Sequence, residues 1–168
     1  MRSPLRQTVH CVLFALFCFT FVGCSEPRPD DLPKLQSVVL TFTQDGQPCD
    51  GATVFLEPVD QNPWGVGGAT NSSGVVVFKT HGKYVGAPAG KYKVVVQKIE
   101  NELSGPAPDP NDMYAPQPET NSYNLVDTKY ENAASTPLEI EVVQGTKFAQ
   151  TFELGKKIKE KLKKPGEK

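Results

Sequence analysis

Few residues of this 168-residue chain carry reactive chemistry. Cysteines stand at 11, 18, 24 and 49, three of them within the first 24 residues, a spacing that builds neither a disulfide framework nor a metal cluster. Beyond residue 23 the sole histidine is His81. It sits beside Gly82 in a turn-type stretch and reads as an exposed loop residue, not a base. No Gly-x-Ser-x-Gly nucleophile elbow accompanies it. No His/Cys cluster could hold zinc. Asp45, Asp50 and Asp60 are too widely spaced for a calcium loop, and no Asp-x-Asp run exists, so all three read as turn formers. The expectation is a chain that is not an enzyme and carries no cofactor. Four aromatic residues lie in predicted loops: Trp64, Tyr84, Tyr114 and Tyr123. Exposed aromatic faces stack on sugars or peptides, and these four are the candidate ligand-contacting set. Trp64, between Asn62-Pro63 and Gly65, also fits a residue folded back over the edge of a domain.

The elements that must carry these residues begin with a leader. Arg2 and Arg6 precede an apolar run over residues 12–22. That run is too short for a spanning helix, which needs about 20 apolar residues, and suits the core of a signal peptide over residues 1–23. Phe21-Val22-Gly23-Cys24 follows at once and resembles a bacterial lipoprotein box. The resemblance implies that Cys24 is lipidated, with palmitate-type chains, and becomes the first residue of the mature protein. It implies an extracytoplasmic domain anchored in the cell membrane or outer membrane. Ser25 resembles the outer-membrane sorting residue. Each buried methylene would add about 0.8 kcal/mol, so several chains anchor stably. Losing Arg2 and Arg6 and no acid moves the formal charge by two units, from −1 to −3. Residues 24–35, with Pro27, Pro29 and Pro33 among Asp30 and Asp31, read as a semi-extended linker.

The domain over residues 36–154 is built from short strands. Asp45-Gly46 is a strong hairpin signal, since glycine tolerates positive φ. Alternation places strands at 38–43, 52–57, 67–70, 75–79, 91–98, 138–142 and 147–154. Their inward faces would hold Val38, Leu40 and Phe42; Val54 and Leu56; Val76 and Phe78; Tyr92, Val94 and Val96. Seven such strands, with 15 prolines and 14 glycines between and around them, predict an all-β, seven-stranded antiparallel sandwich of the immunoglobulin-like or transthyretin-like kind. Eighteen Lys+Arg against 19 Asp+Glu give no basic face for nucleic acid. Residues 99–123, with Pro106, Pro108, Pro110, Pro116 and Pro118, read as a long Pro-rich loop, and residues 155–168, with seven lysines, as a solvated basic tail.

Asp45-Gly46-Gln47-Pro48, Gly51-Ala52-Thr53-Val54, Thr70-Asn71-Ser72-Ser73-Gly74 and Ala87-Pro88-Ala89-Gly90-Lys91-Tyr92-Lys93-Val94 together resemble the carboxypeptidase regulatory-like, transthyretin-like family of extracytoplasmic sandwiches. Asn71 stands where that family usually has Asp. These motifs are turns, so they speak to fold more than to function. The transthyretin-fold enzyme 5-hydroxyisourate hydrolase ends in Tyr-Arg-Gly-Ser, which is missing here. Arg28, in the linker, is the only arginine after residue 23, so the sandwich has no arginine-based anion site. The 38–43 strand has no lysine and the 147–154 strand no asparagine, which excludes a pilin-type crosslink. The expected role is a binding, adhesion or structural module of the cell envelope, with membrane lipid as partner through Cys24 and an envelope protein or glycan as the other. A small extracytoplasmic hydrolase, or a carbohydrate-binding accessory of an enzyme, is the rival reading.

Overall fold

A computed structural model of the chain describes residues 28–60, 62–105 and 118–162. The leader, Cys24, Tyr114 and the tip of the Pro-rich stretch lie outside the described residues. The chain divides after Leu32. On the N-terminal side, the Leu32 N–H donates to the Pro29 carbonyl at 3.2 Å and the Arg28 guanidinium to the Leu32 carbonyl at 3.4 Å.

From Pro33 onward the described residues are all-β, with no α-helix. The strands are β1 (Leu35–Gln36), β2 (Val38–Gln44), β3 (Gln47–Pro48), β4 (Thr53–Pro58), β5 (Val66–Ala69), β6 (Val75–Val77), β7 (Lys79–Thr80), β8 (Tyr84–Val85), β9 (Ala87–Pro88), β10 (Gly90–Gln97), β11 (Ile99–Ser104), β12 (Glu119–Asn124), β13 (Glu139–Val142), β14 (Phe148–Glu153) and β15 (Glu160–Lys161). A six-stranded sheet runs β13-β10-β4-β5-β7-β8. A second sheet runs β14-β2-β3, with β6 also paired to β2.

The inward faces of these two sheets enclose one core. Val38, Leu40 and Phe42 of β2 and Val76 of β6 meet Val54, Leu56, Tyr92, Val94, Val96 and Ile140 of the larger sheet. Phe152 stacks on Phe42 with ring centroids 5.7 Å apart. At about 25 cal/mol per Å² of buried apolar area, this cluster is the main favourable contribution to folding. The alternation read from sequence is the cause: in β2 every second side chain, from Val38 to Gln44, is buried.

The strands of the two sheets differ from the expectation in three respects. The strands outnumber seven, because short pairings escape a reading based on periodicity. The stretch expected as one strand over 75–79 is two: β6 pairs with β2, and β7 with β5 in the opposite sheet. Phe78, fully buried, marks the crossing. The sandwich is also not wholly antiparallel, since β14 runs parallel to β2, Phe148 facing Val38 and Phe152 facing Phe42. Side-chain alternation carries no information on strand direction, so this pairing was invisible in sequence.

The ends of the expected Pro-rich loop are strands. β11 and β12 pair from Ile99↔Asn124 to Ser104↔Glu119. In sequence the prolines fall between the two arms, which leaves both arms free to make ladder bonds. Part of the expected basic tail joins it: β15 pairs with β12, and the Lys159 ammonium bonds the Glu102 carboxylate and lies 3.6 Å from Glu100. That hydrogen bond to Glu102 is the main cause raising the Lys159 pKa.

Turn chemistry accounts for the joints. Asp45 (φ 52°) and Gly46 (φ 70°) link β2 to β3 as a two-residue loop with both φ positive. Asn71 Oδ1 accepts from the Ser73 and Val75 N–H groups, each at 3.0 Å, so asparagine does the turn-forming work here. Gly74 is the tightest point. Its φ is +73°, and a Cβ there would lie 2.3 Å from the Phe42 carbonyl oxygen. Gly90, by contrast, has φ +154° and only ordinary contacts with Tyr92, so it is the weaker constraint. Gly74→Ala should therefore destabilise the domain by about 2–4 kcal/mol in urea denaturation, through strain and lost approach to β2. An unchanged midpoint would contradict this packing.

Candidate functional site

The outer face of the six-stranded sheet carries a row of facing residues, Val95↔Phe55↔Gly67↔Lys79↔Val85, one from each of β10, β4, β5, β7 and β8. Gly67 contributes no side chain, and the Phe55 ring lies over it: a Cβ on Gly67 would be 3.0 Å from that ring. Beside this bare strand opens a groove of about 660 Å³. Phe55, Pro58 and Trp64 give it apolar walls, and Thr53, Glu57 and Lys79 add polar groups to its lining. A second hollow of about 320 Å³ lies on the other side of the same ring, lined by Phe55, Glu57, Val95, Gln97 and Asn132 among others. Phe55 thus forms a ridge between two hollows, and it remains 39% exposed.

The Trp64 wall is held by Asn62. Its Oδ1 accepts from the Trp64 backbone N–H at 3.0 Å, and its Nδ2 donates to the Tyr92 hydroxyl at 3.2 Å. Tyr92 in turn donates to the Pro88 carbonyl at 2.9 Å. Burial raises the Tyr92 pKa, and the Asn62 bond opposes that rise. A neutral phenol bridging two loops fixes where the 62–65 segment lies. Trp64 is only 9% exposed, its ring 4.7 Å from that of His81. His81 itself is exposed, at φ 50° in the β7–β8 turn. Among the described residues no Ser, Asp or Glu side chain is hydrogen-bonded to it, so no catalytic pair is assembled there.

The four aromatics chosen from sequence do not form one platform. Trp64 lines the groove. Tyr84 sits half-buried on the edge strand β8, with the Lys83 ammonium 5.4 Å from its ring centroid. Tyr123 lies on β12 in the separate three-stranded sheet, under the Lys159 ammonium at 4.7 Å. Tyr114 and the lipidation candidate Cys24 lie outside the described residues. The residue that sequence reasoning missed is Phe55. Its signal was available: once Val54 and Leu56 point inward, alternation sends Thr53, Phe55 and Glu57 outward, and an aromatic on that face is unusual enough to mark it. Cys49 is a free, buried thiol whose pKa is raised chiefly by desolvation. The described residues include no group of three or more His, Cys, Asp or Glu able to hold a metal. None of their helices is long and apolar enough to cross a membrane.

No family profile and no curated protein matches the chain. A solved structure to which it is similar is a 9R-lipoxygenase from Cyanothece, at 14% identity and a TM-score of 0.32, over 90% of this chain and 20% of that one. The chain spans a fifth of that protein's length. The expectation that this chain is not an enzyme is withdrawn. A likeness of this size supports no enzyme assignment either, which leaves the groove as the feature that bears on function.

The exposure of the two rings sets their stability roles apart. Phe55→Ala should cost less than about 1.5 kcal/mol, while Trp64→Ala should cost about 3–5 kcal/mol, as for a buried large side chain. Urea denaturation of both variants reads this directly. The reverse order would mean that Phe55, not Trp64, is the packed residue.

Proposed function

We propose that the chain is a lipid-anchored β-sandwich module of the cell envelope, of the carboxypeptidase regulatory-like, transthyretin-like kind. Its groove over β5 makes contact with an envelope protein or glycan. The observation that carries the contact role is the exposed Phe55 ridge. Phe55 packs over the bare Gly67 and still leaves 39% of its surface exposed between two hollows, an apolar face offered to solvent. Concave, apolar-walled surfaces with a few polar groups are where ligands bind.

The anchor rests on sequence. The apolar 12–22 run followed by Gly23-Cys24 has the order a lipoprotein leader requires, and the Pro-rich linker gives the domain reach from the bilayer. The turn motifs at 45–48, 70–74 and 87–94 support the family reading, and each sits at a strand joint.

Two measurements test the two halves. Intact mass of the protein extracted from membranes should match a chain starting at Cys24 with acyl groups attached. An unmodified chain starting elsewhere would refute the anchor. A photo-crosslinking amino acid placed at position 55 in living cells should yield a discrete adduct, while one at the exposed Val143, just past β13, should not. Equal yields at both positions would remove the contact role from the groove.

A further inference from the structure

We infer that the groove takes a neutral, polyhydroxylated chain, an oligosaccharide of at least two rings, laid across Phe55. The inference rests on the reading of this face as the contact surface and names its ligand. Charge, shape and length lead to it.

Glu57 and Lys79 both line the groove, with opposite sign. Neither makes an ion pair among the described residues: the nearby Lys93 is taken by Glu139. A ligand of one charge sign would be attracted by one of the two and repelled by the other, so net charge gains it little. A wholly apolar occupant would return no hydrogen bond to either of these exposed charges. A neutral polyol suits both, since its hydroxyls donate to the carboxylate and accept from the ammonium. The Thr53 hydroxyl adds a group that can do either.

With no side chain at Gly67 the Phe55 ring lies down over the strand, and its exposed face suits the apolar C–H face of a sugar. Gly67 itself has no room to grow, because a Cβ there would meet Phe55 at 3.0 Å. Length enters through the two hollows. Those of about 660 and 320 Å³ share Phe55 and Glu57, so a ligand filling both crosses the ridge. The smaller hollow is lined by Gln97, Glu131 and Asn132 beside Glu57, polar groups that a second sugar unit can hydrogen-bond and that disfavour an anion.

Trp64 is the only tryptophan in the chain, so its emission reports the groove wall alone. The full chain, held in a detergent without a sugar headgroup, is titrated with maltohexaose, cellohexaose and chitohexaose. At least one should give a saturable change in Trp64 emission that salt does not weaken, as expected for an uncharged ligand. Phe55→Ala and Lys79→Met should each weaken it by about tenfold or more while keeping the wild-type circular dichroism spectrum, a loss of roughly one hot-spot contact. No saturable change with any of the three sugars overturns the inference. The contact surface is then judged separately. A position-55 adduct, or a dimer in sedimentation that Phe55→Ala disperses, leaves the surface standing with a protein or a second copy on it. With neither, surface and sugar fall together. A saturable change that both variants retain places the sugar elsewhere and also overturns it.

Discussion

The pairing of β4 with β10 fixes everything on the larger sheet. Its register sets Val54 opposite Val96 and Leu56 opposite Val94, all four fully or almost fully buried. The same register sets Phe55 opposite Val95 on the other face. Because side chains alternate with a period of two, a slip of one residue would drive Phe55 and Glu57 into the core and Val54 and Leu56 into water. Burying Glu57 without a partner would alone cost several kcal/mol. The core therefore dictates which residues reach the outer face, and the groove is a by-product of core packing that the sequence has filled with a phenylalanine and two unlike charges.

The same logic locates what is rigid and what is not. β4 lies between β10 and β5, and β10 between β13 and β4, so both interior strands have partners on either side. Buried hydroxyls then tie the loops down. Thr70 Oγ1 accepts from the Ala52 N–H at 2.8 Å and donates to the Cys49 carbonyl at 2.6 Å, while Thr136 donates to the Val94 carbonyl at 2.7 Å. The β11–β12 hairpin is different in kind. Every side chain of β11 is exposed, and beyond β12 its described support comes from β15 and the Lys159 pairs. Exposed ion pairs of this sort contribute about 0–1 kcal/mol each, so this arm is the low-stability part of the fold.

How much of this was legible in the sequence depends on what alternation can encode. The inward sets of β2, β4, β6 and β10 were legible, because each puts large apolar residues on one face of a short run. Asp45-Gly46 was legible as a hairpin, because few dipeptides accept positive φ twice. Strand direction was not, and the parallel β2–β14 pair went unseen. The short β8, β9 and β15 pairings also went unseen, because two residues hold no period. The hairpin arms were hidden because Pro106 to Pro118 dominated the composition of the whole 99–123 stretch. At the site, loop position was the wrong guide. It singled out Tyr84 and Tyr123, which the fold sends to different sheets, and passed over Phe55, whose exposure follows from the burial of its two neighbours.

Native-state hydrogen exchange tests the central claim, that the β4–β10 register governs both the core and the outer face. The amides of β4 and β10 should be the slowest in the domain and exchange only with global unfolding, while those of β11 and β12 exchange earlier, through local opening. Exchange of β4 and β10 as fast as that of the hairpin would contradict the account, since a pairing that opens on its own could not hold Phe55, Glu57 and the groove in place.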